Sequence, residues 1–330
     1  MYFLIIMKKK YSPINKALVL FCICATLIKP VRAQTDLDAI MMDKKNLCSG
    51  IVFNYSNWNN YWEGSFKRDN ANIGIVSTQS IAVMGNYGVS GKLNLLFSLP
   101  YIQTKASAGT LIGMKGLQDL SLFAKYMPLE KNILKGTLSL YAIGGVTLPV
   151  SNYVADFLPM AIGLHSQIII GRIMADYQKG RFFLTASGTY NYRNNINIDR
   201  TAYYTTQMHL TNEVEMPDVI SYNIRAGYRS TFLIAEAVYN NMITQDGFDI
   251  RKNDMPFPSN QMNMSSAGIN IKYTLHNLPA LSIVGGGSTT LTGRNVGQST
   301  GYYGGIFYIL DFSKKSISSS ASGKRRTSNK

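Results

Sequence analysis

Hydrophobic and polar residues alternate through most of the chain after residue 50, and the alternation is clearest between residues 93 and 126. Asn94 and Ser98 share one face of the first part, and apolar residues occupy the other: Leu93, Leu95, Phe97, Leu99 and Tyr101. Further on, Asp119, Ser121, Phe123 and Lys125 oppose a second apolar face: Leu120, Leu122, Ala124 and Tyr126. A period of two is typical of a β-strand whose two sides meet different surroundings.

Stretches of this kind recur, and they predict about twelve strands, each long enough to cross a bilayer with a tilt, which takes about 9–11 residues. The predicted strands are Gly50–Asn60, Asn72–Met84, Lys92–Gln103, Gly116–Tyr126, Gly136–Leu148, Gly163–Tyr177, Arg181–Tyr192, Val219–Tyr228, Phe232–Ile243, Met262–Leu275, Ala280–Thr292 and Tyr302–Phe312.

Short and long connections alternate between these strands. The short ones are residues 86–91, 128–135, 178–180, 229–230 and 276–279, and the long ones are residues 61–71, 104–115, 149–162, 193–218, 244–261 and 293–301. Outer-membrane barrels have tight periplasmic turns and long external loops. The sequence therefore predicts an all-β fold: a transmembrane, antiparallel, up-and-down β-barrel of about twelve strands, with both chain ends in the periplasm.

The two ends of the chain differ from this body. Residues 1–33 read as a signal peptide, because a lysine cluster precedes the apolar run Ala17–Ile28 and a small-residue cleavage site ends at Ala33. The run is shorter than the roughly 20 residues of a membrane-spanning helix. Residues 34–48 form a short polar leader on the periplasmic side, residues 49–312 the barrel, and residues 313–330 a basic, low-complexity tail that is expected to be disordered.

Charge and cysteine usage remove two other classes of protein. The formal net charge is +15, but the signal region and the tail each supply six positive charges and no acid, so the rest carries only +3. A nucleic-acid partner is therefore not implied. Cys22 and Cys24 lie in the signal region, which leaves Cys48 alone, so no internal disulfide framework can form.

One segment carries a family resemblance. The sequences YGVSGKLNLLFSLPY and GLQDLSLFAKY hold a spaced set of residues: Tyr87, Gly88, Leu99, Pro100, Tyr101, Gly116, Leu117, Asp119, Lys125 and Tyr126. This set resembles the outer-membrane family known as meta-pathway of phenol degradation proteins, which is loosely like the fatty-acid and aromatic-hydrocarbon transporters. The resemblance implies passage of small, often hydrophobic or aromatic compounds through the outer membrane. Those transporters fill their lumen with an N-terminal hatch, for which the leader here is too short, so a plug is expected to be loop Arg193–Asp218 or the lumen side chains.

Polar residues on the inner face of the predicted strands are the candidate site. They are Asp119, Lys125, Asn94, Ser98, Ser121, Arg225, Arg229, Glu236 and Lys272. They would either form interior ion pairs that stiffen the barrel or set up a field along a solute path, and ionisable groups inside a narrow barrel must be paired or hydrated. No metal ligand set and no cofactor motif is predicted.

Enzymatic chemistry is not favoured. The pair His165-Ser166 invites comparison with outer-membrane phospholipases, but neighbours on a strand point to opposite faces. His209 and His276 have no metal-ligand spacing. Gly285–Gly287 lacks the features of a phosphate loop and is expected to mark a bend or bulge.

The first hypothesis is therefore an outer-membrane barrel, reached through a cleaved signal peptide, that acts as a passive channel for small solutes, including hydrophobic or aromatic ones. The alternative is a barrel without a transport role that lends support or binds a surface partner, and a hydrolase comes last. The expected partners are outer-membrane lipid, a small-molecule solute and the barrel assembly machinery, which would recognise the last strand through Gly305, Tyr308, Leu310 and Phe312.

Overall fold

The computed structural model describes residues 35–252 and 254–313, so the predicted signal peptide and almost all of the basic tail lie outside the described residues. Twelve long strands form the wall: β1 Asn46–Trp58, β2 Val76–Ser90, β3 Leu93–Ala106, β4 Asp119–Ile133, β5 Gly136–Pro149, β6 Ile168–Lys179, β7 Phe182–Arg193, β8 Val219–Arg229, β9 Leu233–Thr244, β10 Asn263–Thr274, β11 Leu281–Arg294 and β12 Thr300–Asp311.

The wall closes on itself. Every long strand pairs antiparallel with its neighbours in sequence, and β1 also pairs with β12, from Asn46 opposite Asp311 to Asn57 opposite Thr300. Closure leaves no free sheet edge whose backbone groups would lack partners in a membrane. The prediction of an all-β, twelve-stranded, antiparallel barrel is confirmed.

The strand ends differ from the prediction mainly at the short turns. The wall continues to Ser90 on β2 and to Ile133 on β4, so turns predicted over six and eight residues shrink to Gly91–Lys92 and Leu134–Lys135. The ladder continues through the polar positions because β-bulges between Gly88 and Ser90 and between Tyr126 and Leu129 absorb the change of pattern.

The long connections lie at the opposite end and contain short strands of their own. Lys115–Leu117 pairs with β3. Three further pairs lie within the loops: Asn60–Glu63 with Phe66–Asp69, Ile196–Asn197 with Glu213–Val214, and Tyr203–Tyr204 with Met208–His209. β1 begins and β12 ends at the short-turn end, since the strand number is even.

The two faces of the wall match the alternation in the sequence. Leu95 and Leu122 are exposed on the outside, whereas Asn94 and Lys125 are fully buried on the inside. Outward tyrosines lie toward both rims: Tyr190, Tyr222 and Tyr302 toward the long loops, and Tyr87, Tyr273 and Tyr308 toward the short turns. An apolar belt between aromatic girdles is the surface that a bilayer-spanning barrel presents.

Among the described residues there is no helix with the length and apolar character needed to span a membrane.

Candidate functional site in the barrel lumen

The leader enters the barrel instead of remaining outside it. The Lys125 side chain points inward from β4 with no exposed surface, and its ammonium group donates to the carbonyl oxygens of Thr35 at 2.6 Å, Asp38 at 2.8 Å and Ile40 at 3.4 Å. It also pairs with the Asp38 carboxylate at 3.3 Å. The same carboxylate accepts hydrogen bonds from the backbone nitrogens of Thr35 and Ile40, which folds the leader into a tight turn around the ammonium.

Two further strands hold the leader. Arg172 on β6 pairs with Asp36 at 2.8 Å and donates to its backbone carbonyl at 3.0 Å, while the Tyr141 hydroxyl on β5 donates to the Ala39 carbonyl at 2.9 Å. The leader also packs against the inner wall in an apolar cluster: Ala39, Met41, Phe123, Met127, Tyr141, Ile143 and Met174. The leader was expected to be too short to fill the lumen as a hatch does. Residues 35–41 nevertheless lie inside the barrel, where inner-wall side chains bind their carbonyl and carboxylate oxygens.

The structure gives a physical reason for Gly88, one of the residues that carry the resemblance to the meta-pathway family. A Cβ atom at this residue would lie 2.1 Å from the carbonyl oxygen of Asp43 and 2.8 Å from that of Met42. The carbonyl of Gly88 itself accepts from the backbone nitrogen of Lys45 at 2.7 Å. The leader backbone therefore crosses directly over Gly88 as it turns from the lumen into β1, which only glycine permits.

The wall facing the leader has ion pairs of its own. Arg225 on β8 pairs with Glu236 on β9 at 2.7 Å, and Glu236 also accepts from the Asn270 amide at 2.9 Å. Arg229 pairs with Asp176 at 3.0 Å, and both side chains are about 95 % buried. Removing one member of such a pair leaves an uncompensated buried charge, which is why these charges occur together.

The other predicted lumen residues are distributed over the inner face. Ser121 lies within hydrogen-bond distance of the Thr147 hydroxyl, at 3.2 Å, and stands in register with Ser98. Asn94 and Lys272 are buried and have interaction partners. Lys125 binds the leader, and Asp119 accepts from Tyr153 of the β5–β6 loop at 2.5 Å, so these contacts are to the leader and a loop and not to a neighbouring strand.

That contact fastens an external loop to the rim of the barrel. The Tyr153 hydroxyl donates to Asp119 and accepts from the backbone nitrogen of His165, and the two rings meet edge to face at 4.9 Å. Burial and the neighbouring Asp119 carboxylate raise the pKa of the Tyr153 hydroxyl, so the tyrosine remains a neutral donor.

Three cavities follow one another along the barrel. A recess of about 890 Å³ opens at the short-turn end, a cavity of about 380 Å³ lies in the lumen beside the leader, and a recess of about 790 Å³ lies among the external loops. Ile40 of the leader and Arg229 line both the lumen cavity and the recess at the short-turn end. These two side chains therefore form the partition between the two spaces.

One side of the lumen cavity is mostly apolar, and the other mixes polar with apolar side chains. Strands β1, β2, β11 and β12 contribute the apolar side chains Val52, Met84, Val284, Tyr303 and Phe307. Strands β8, β9 and β10 contribute Arg225, Glu236 and Asn270, and the leader closes the third side with Asp36 and Asp38. A cavity of this size lies at the lower end of the range of about 300–1,000 Å³ that is usual for small-molecule sites.

Residues considered for catalysis or metal binding have ordinary structural contacts. His165 and Ser166 were predicted to lie in a strand that starts at Gly163, but β6 begins at Ile168, so both residues lie in the β5–β6 loop. The Ser166 hydroxyl donates to the Asn194 carbonyl at 2.5 Å. His209 stacks on Tyr203 at 4.7 Å and His276 packs on Phe232 at 4.3 Å. Within residues 35–252 and 254–313 no group of three or more metal-ligating side chains occurs.

The glycine run in β11 also differs from its prediction. The register shift between β10 and β11 lies at Ser265 and Ser266, not opposite Gly285–Gly287. Gly286 faces inward, and a Cβ there would lie 2.7 Å from the Tyr303 ring. The glycine therefore makes room for an aromatic side chain that lines the cavity.

The external loops pack on each other. Buried residues from the β5–β6, β7–β8 and β9–β10 loops form one apolar cluster: Ala155, Leu164, Ile196, Ile198, Tyr203, Val214, Met216 and Phe257. The β7–β8 loop, which was one of the two expected plugs beside the lumen side chains, packs its buried apolar residues against other loops.

Comparison with known proteins identifies the fold. The crystal structure of the COG4313 outer membrane channel from Pseudomonas putida F1 aligns with a TM-score of 0.67 at 12 % identity, over 84 % of this chain and 100 % of that one. The chain has the fold of that channel.

Other barrels align less well. The translocator domain of the autotransporter NalP from Neisseria meningitidis and the Pseudomonas putida toluene transporter TodX give TM-scores of 0.43 and 0.39 at 11 % and 10 % identity. They cover 80 % and 86 % of this chain and 87 % and 95 % of their own, and at such scores the likeness carries no argument. No family profile and no curated protein sequence matches the chain.

Proposed function

We propose that this protein is a passive outer-membrane channel for small hydrophobic solutes. The observation that carries the proposal is the lumen cavity of about 380 Å³, which has an apolar wall inside a barrel whose outer face is also apolar. A barrel that conducts only ions and water has a polar interior. The fold shared with an outer-membrane channel of Pseudomonas putida supports the proposal, as does the resemblance of residues 87–126 to the meta-pathway family.

The proposed route starts in the recess among the external loops, continues through the lumen cavity and ends in the recess at the short-turn end, which would face the periplasm. Ile40 and Arg229 separate the last two spaces. Since the strands are fixed by a closed ladder of hydrogen bonds, the leader is the part that moves when a solute passes. The leader is held by side chains and not by a ladder, so its release leaves the wall intact.

Delivery to the outer membrane belongs to the same proposal. A signal peptide over residues 1–33 would direct export, and the last strand would present Tyr308, Leu310 and Phe312 to the assembly machinery. Tyr308 and Leu310 alternate on the outer face of β12, where a recognising protein can reach them.

A barrel without transport is the second candidate, because the external loops have an apolar core of their own and would form a stable surface for a partner. A purely structural barrel has no need of an apolar cavity beside a plug, which favours the channel.

Entry of N-phenyl-1-naphthylamine, an apolar fluorescent probe, into Gram-negative cells that produce the barrel tests the proposal. We expect faster entry than in cells without the barrel. Val52→Trp places a large ring in the cavity and should slow entry, while Val83→Trp, on the outer face of the neighbouring strand, should leave it unchanged.

Heat-modifiable migration on a gel, measured for both variants, shows that they fold. Equal entry with and without the barrel would contradict the channel and favour the structural candidate.

A further inference from the structure

Three cationic side chains lie on the outer face of the barrel at the short-turn end of neighbouring strands: Lys131 on β4, Lys179 on β6 and Arg181 in the turn between β6 and β7. Lys131 faces outward because Glu130, the residue before it, lines the recess inside the barrel, and neighbours on a strand alternate. Lys179 stands in register with Phe182, whose side chain is 71 % exposed on the outside. The outer wall therefore ends here in a basic surface.

Arg181 is held in place by an outward aromatic pair. Its guanidinium donates to the Tyr228 hydroxyl at 2.8 Å and lies 5.9 Å from the centre of that ring. Tyr228 stands in register with Phe182, and the two rings meet edge to face with their centres 6.0 Å apart. The contact with Tyr228 uses one of the five donors of the guanidinium, and arginine can bind a phosphate with two parallel hydrogen bonds.

The acids of β4–β7 do not compensate these cations. Glu130 lines the recess, Asp176 pairs with Arg229 inside the barrel, and Asp119 lies at the long-loop end. The salt bridges between described residues include none of the three cations. At the same end of β8–β12, the basic side chains Arg229 and Lys272 line the lumen cavity, so the basic surface does not extend over that part of the outer wall.

A groove of about 670 Å³ crosses the outer face of the same strands, toward the middle of the wall. Its lining includes small and apolar residues: Tyr126, Ala142, Gly144, Gly171, Ile173 and Gly188. A Cβ atom at Gly144 or Gly171 would meet no atom within 4 Å, so the missing side chains leave this space open. Ala175 and Ala186 stand in register between the groove and the cations, and their small side chains continue it toward them.

The distance between the cations and the groove matches the dimensions of one lipid leaflet. Leu138, which stands opposite Lys131, lies six residues from Gly144 on β5, or about 20 Å along the strand. Strands of membrane barrels are tilted by about 35–45°, which reduces this length to about 15 Å along the membrane normal. Half of the hydrocarbon core of a bilayer is also about 15 Å. A lipid with its phosphate at the cations therefore reaches Gly144 with its acyl chain.

We propose that this surface binds an acidic phospholipid, with its phosphate at Lys131, Lys179 and Arg181 and one acyl chain over Gly144 and Gly171. Charge complementarity decides the occupant, because basic clusters beside a membrane attract acidic headgroups. A zwitterionic phospholipid would bring a cation of its own to the surface. A second copy of this chain, related by a two-fold axis, would bring the same three cations. The site is separate from the lumen and independent of the proposed transport.

Titration of the full chain in a non-ionic detergent, followed by native mass spectrometry, tests the headgroup. The probes are dioleoyl phosphatidylglycerol and dioleoyl phosphatidylcholine, which have the same acyl chains. We expect the first phosphatidylglycerol to bind at least tenfold more tightly than phosphatidylcholine. The double variant Lys179→Gln with Arg181→Gln should weaken phosphatidylglycerol binding by about tenfold to thirtyfold.

The matched control removes two exposed lysines at the long-loop end, Lys105→Gln with Lys115→Gln, and should leave both affinities unchanged. The net charge changes equally in the two double variants, and both keep the basic residues 314–330, so the contribution of that segment cancels. Heat-modifiable migration on a gel shows that each variant is folded. The comparison of the two lipids on the unaltered chain needs no variant.

Filling the groove tests the acyl chain. Gly171→Leu should weaken the binding of dioleoyl phosphatidylglycerol about fivefold but not that of dihexanoyl phosphatidylglycerol, whose chains are too short to reach this residue. Gly304→Leu is the control, since Gly304 alternates with the exposed Tyr302 and Ile306 on the outer face of β12 and a Cβ there also has open space. It should change neither affinity.

Equal affinity for phosphatidylglycerol and phosphatidylcholine would overturn the proposal. Equal losses in the two double variants would overturn it as well, because binding would then follow net charge and not this surface. The same holds for equal losses in Gly171→Leu and Gly304→Leu. A dimer in the mass spectrum that Gly171→Leu abolishes would show that a second copy occupies the groove instead of a lipid.

Discussion

Replacing Lys125 by methionine should release the leader while leaving the barrel folded. The ammonium group makes hydrogen bonds to three leader carbonyls and an ion pair with Asp38, and the side chain has no exposed surface. Removing one partner of a buried pair costs about 3–5 kcal/mol. Since about 1.4 kcal/mol corresponds to a tenfold change, the docked leader should lose about two to three and a half orders of magnitude in equilibrium constant.

The strand ladder does not use this side chain, so heat-modifiable migration should persist. Single-channel conductance in a planar bilayer should rise, and a cysteine placed at Leu37 should become reactive toward a water-soluble maleimide. Lys131→Met removes an exposed lysine from the same strand and should change neither quantity. A Lys125→Met barrel with unchanged conductance and a protected leader would refute the claim that this ammonium group holds the leader.

Three further outcomes are expected. Leu122→Arg should lower the free energy of unfolding by about 2–4 kcal/mol because it places a charge on the lipid face, whereas Ser121→Arg on the inner face should cost less; equal losses in denaturant titrations would contradict the facing. Tyr153→Phe removes the hydroxyl that donates to Asp119 and should speed protease cleavage of the β5–β6 loop without changing conductance; an unchanged cleavage rate would show that this contact does not fasten the loop. Hydrogen bonds from Arg294 lower the pKa of Asp249 below its usual 3.8, so the Asp249–Arg294 pair holds the β9–β10 loop above that pH and is lost as the pH falls through the lowered pKa. Amide hydrogen exchange in this loop should then rise, and Asp249→Asn should abolish the response.

Alternation predicted the strands and their faces because each residue of the wall meets either lipid or lumen, and a strand offers only these two sides. Arg172 shares its strand face with Ile168 and Ile170, so alternation alone does not decide which way this side chain points. The structure resolves the ambiguity, because the leader supplies Asp36 as its partner.

The position of the leader inside the lumen was not predicted, because a short polar stretch gives no periodic signal and its contacts are with residues about 90–140 positions away. Two acids in the leader, Asp36 and Asp38, were the signal available, since the inner face of the predicted strands held unmatched cations. Gly88 was a second signal, since a glycine on the inner face at the end of a strand indicates that backbone approaches it.

Flux through a barrel whose leader is tethered tests whether solutes pass by displacing the leader. Ala39→Cys in the leader and Met174→Cys on β6 lie in one buried cluster, and a short reducible crosslinker joins them after the barrel is assembled. Each variant that carries only one of the two substitutions beside the native Cys48, treated in the same way, is the control. If the leader moves when a solute passes, crosslinking abolishes conductance and probe entry, and reduction restores both to the values of the controls. A crosslinked barrel that conducts and admits the probe at the untreated rate would contradict it, because the solute would then pass without movement of the leader.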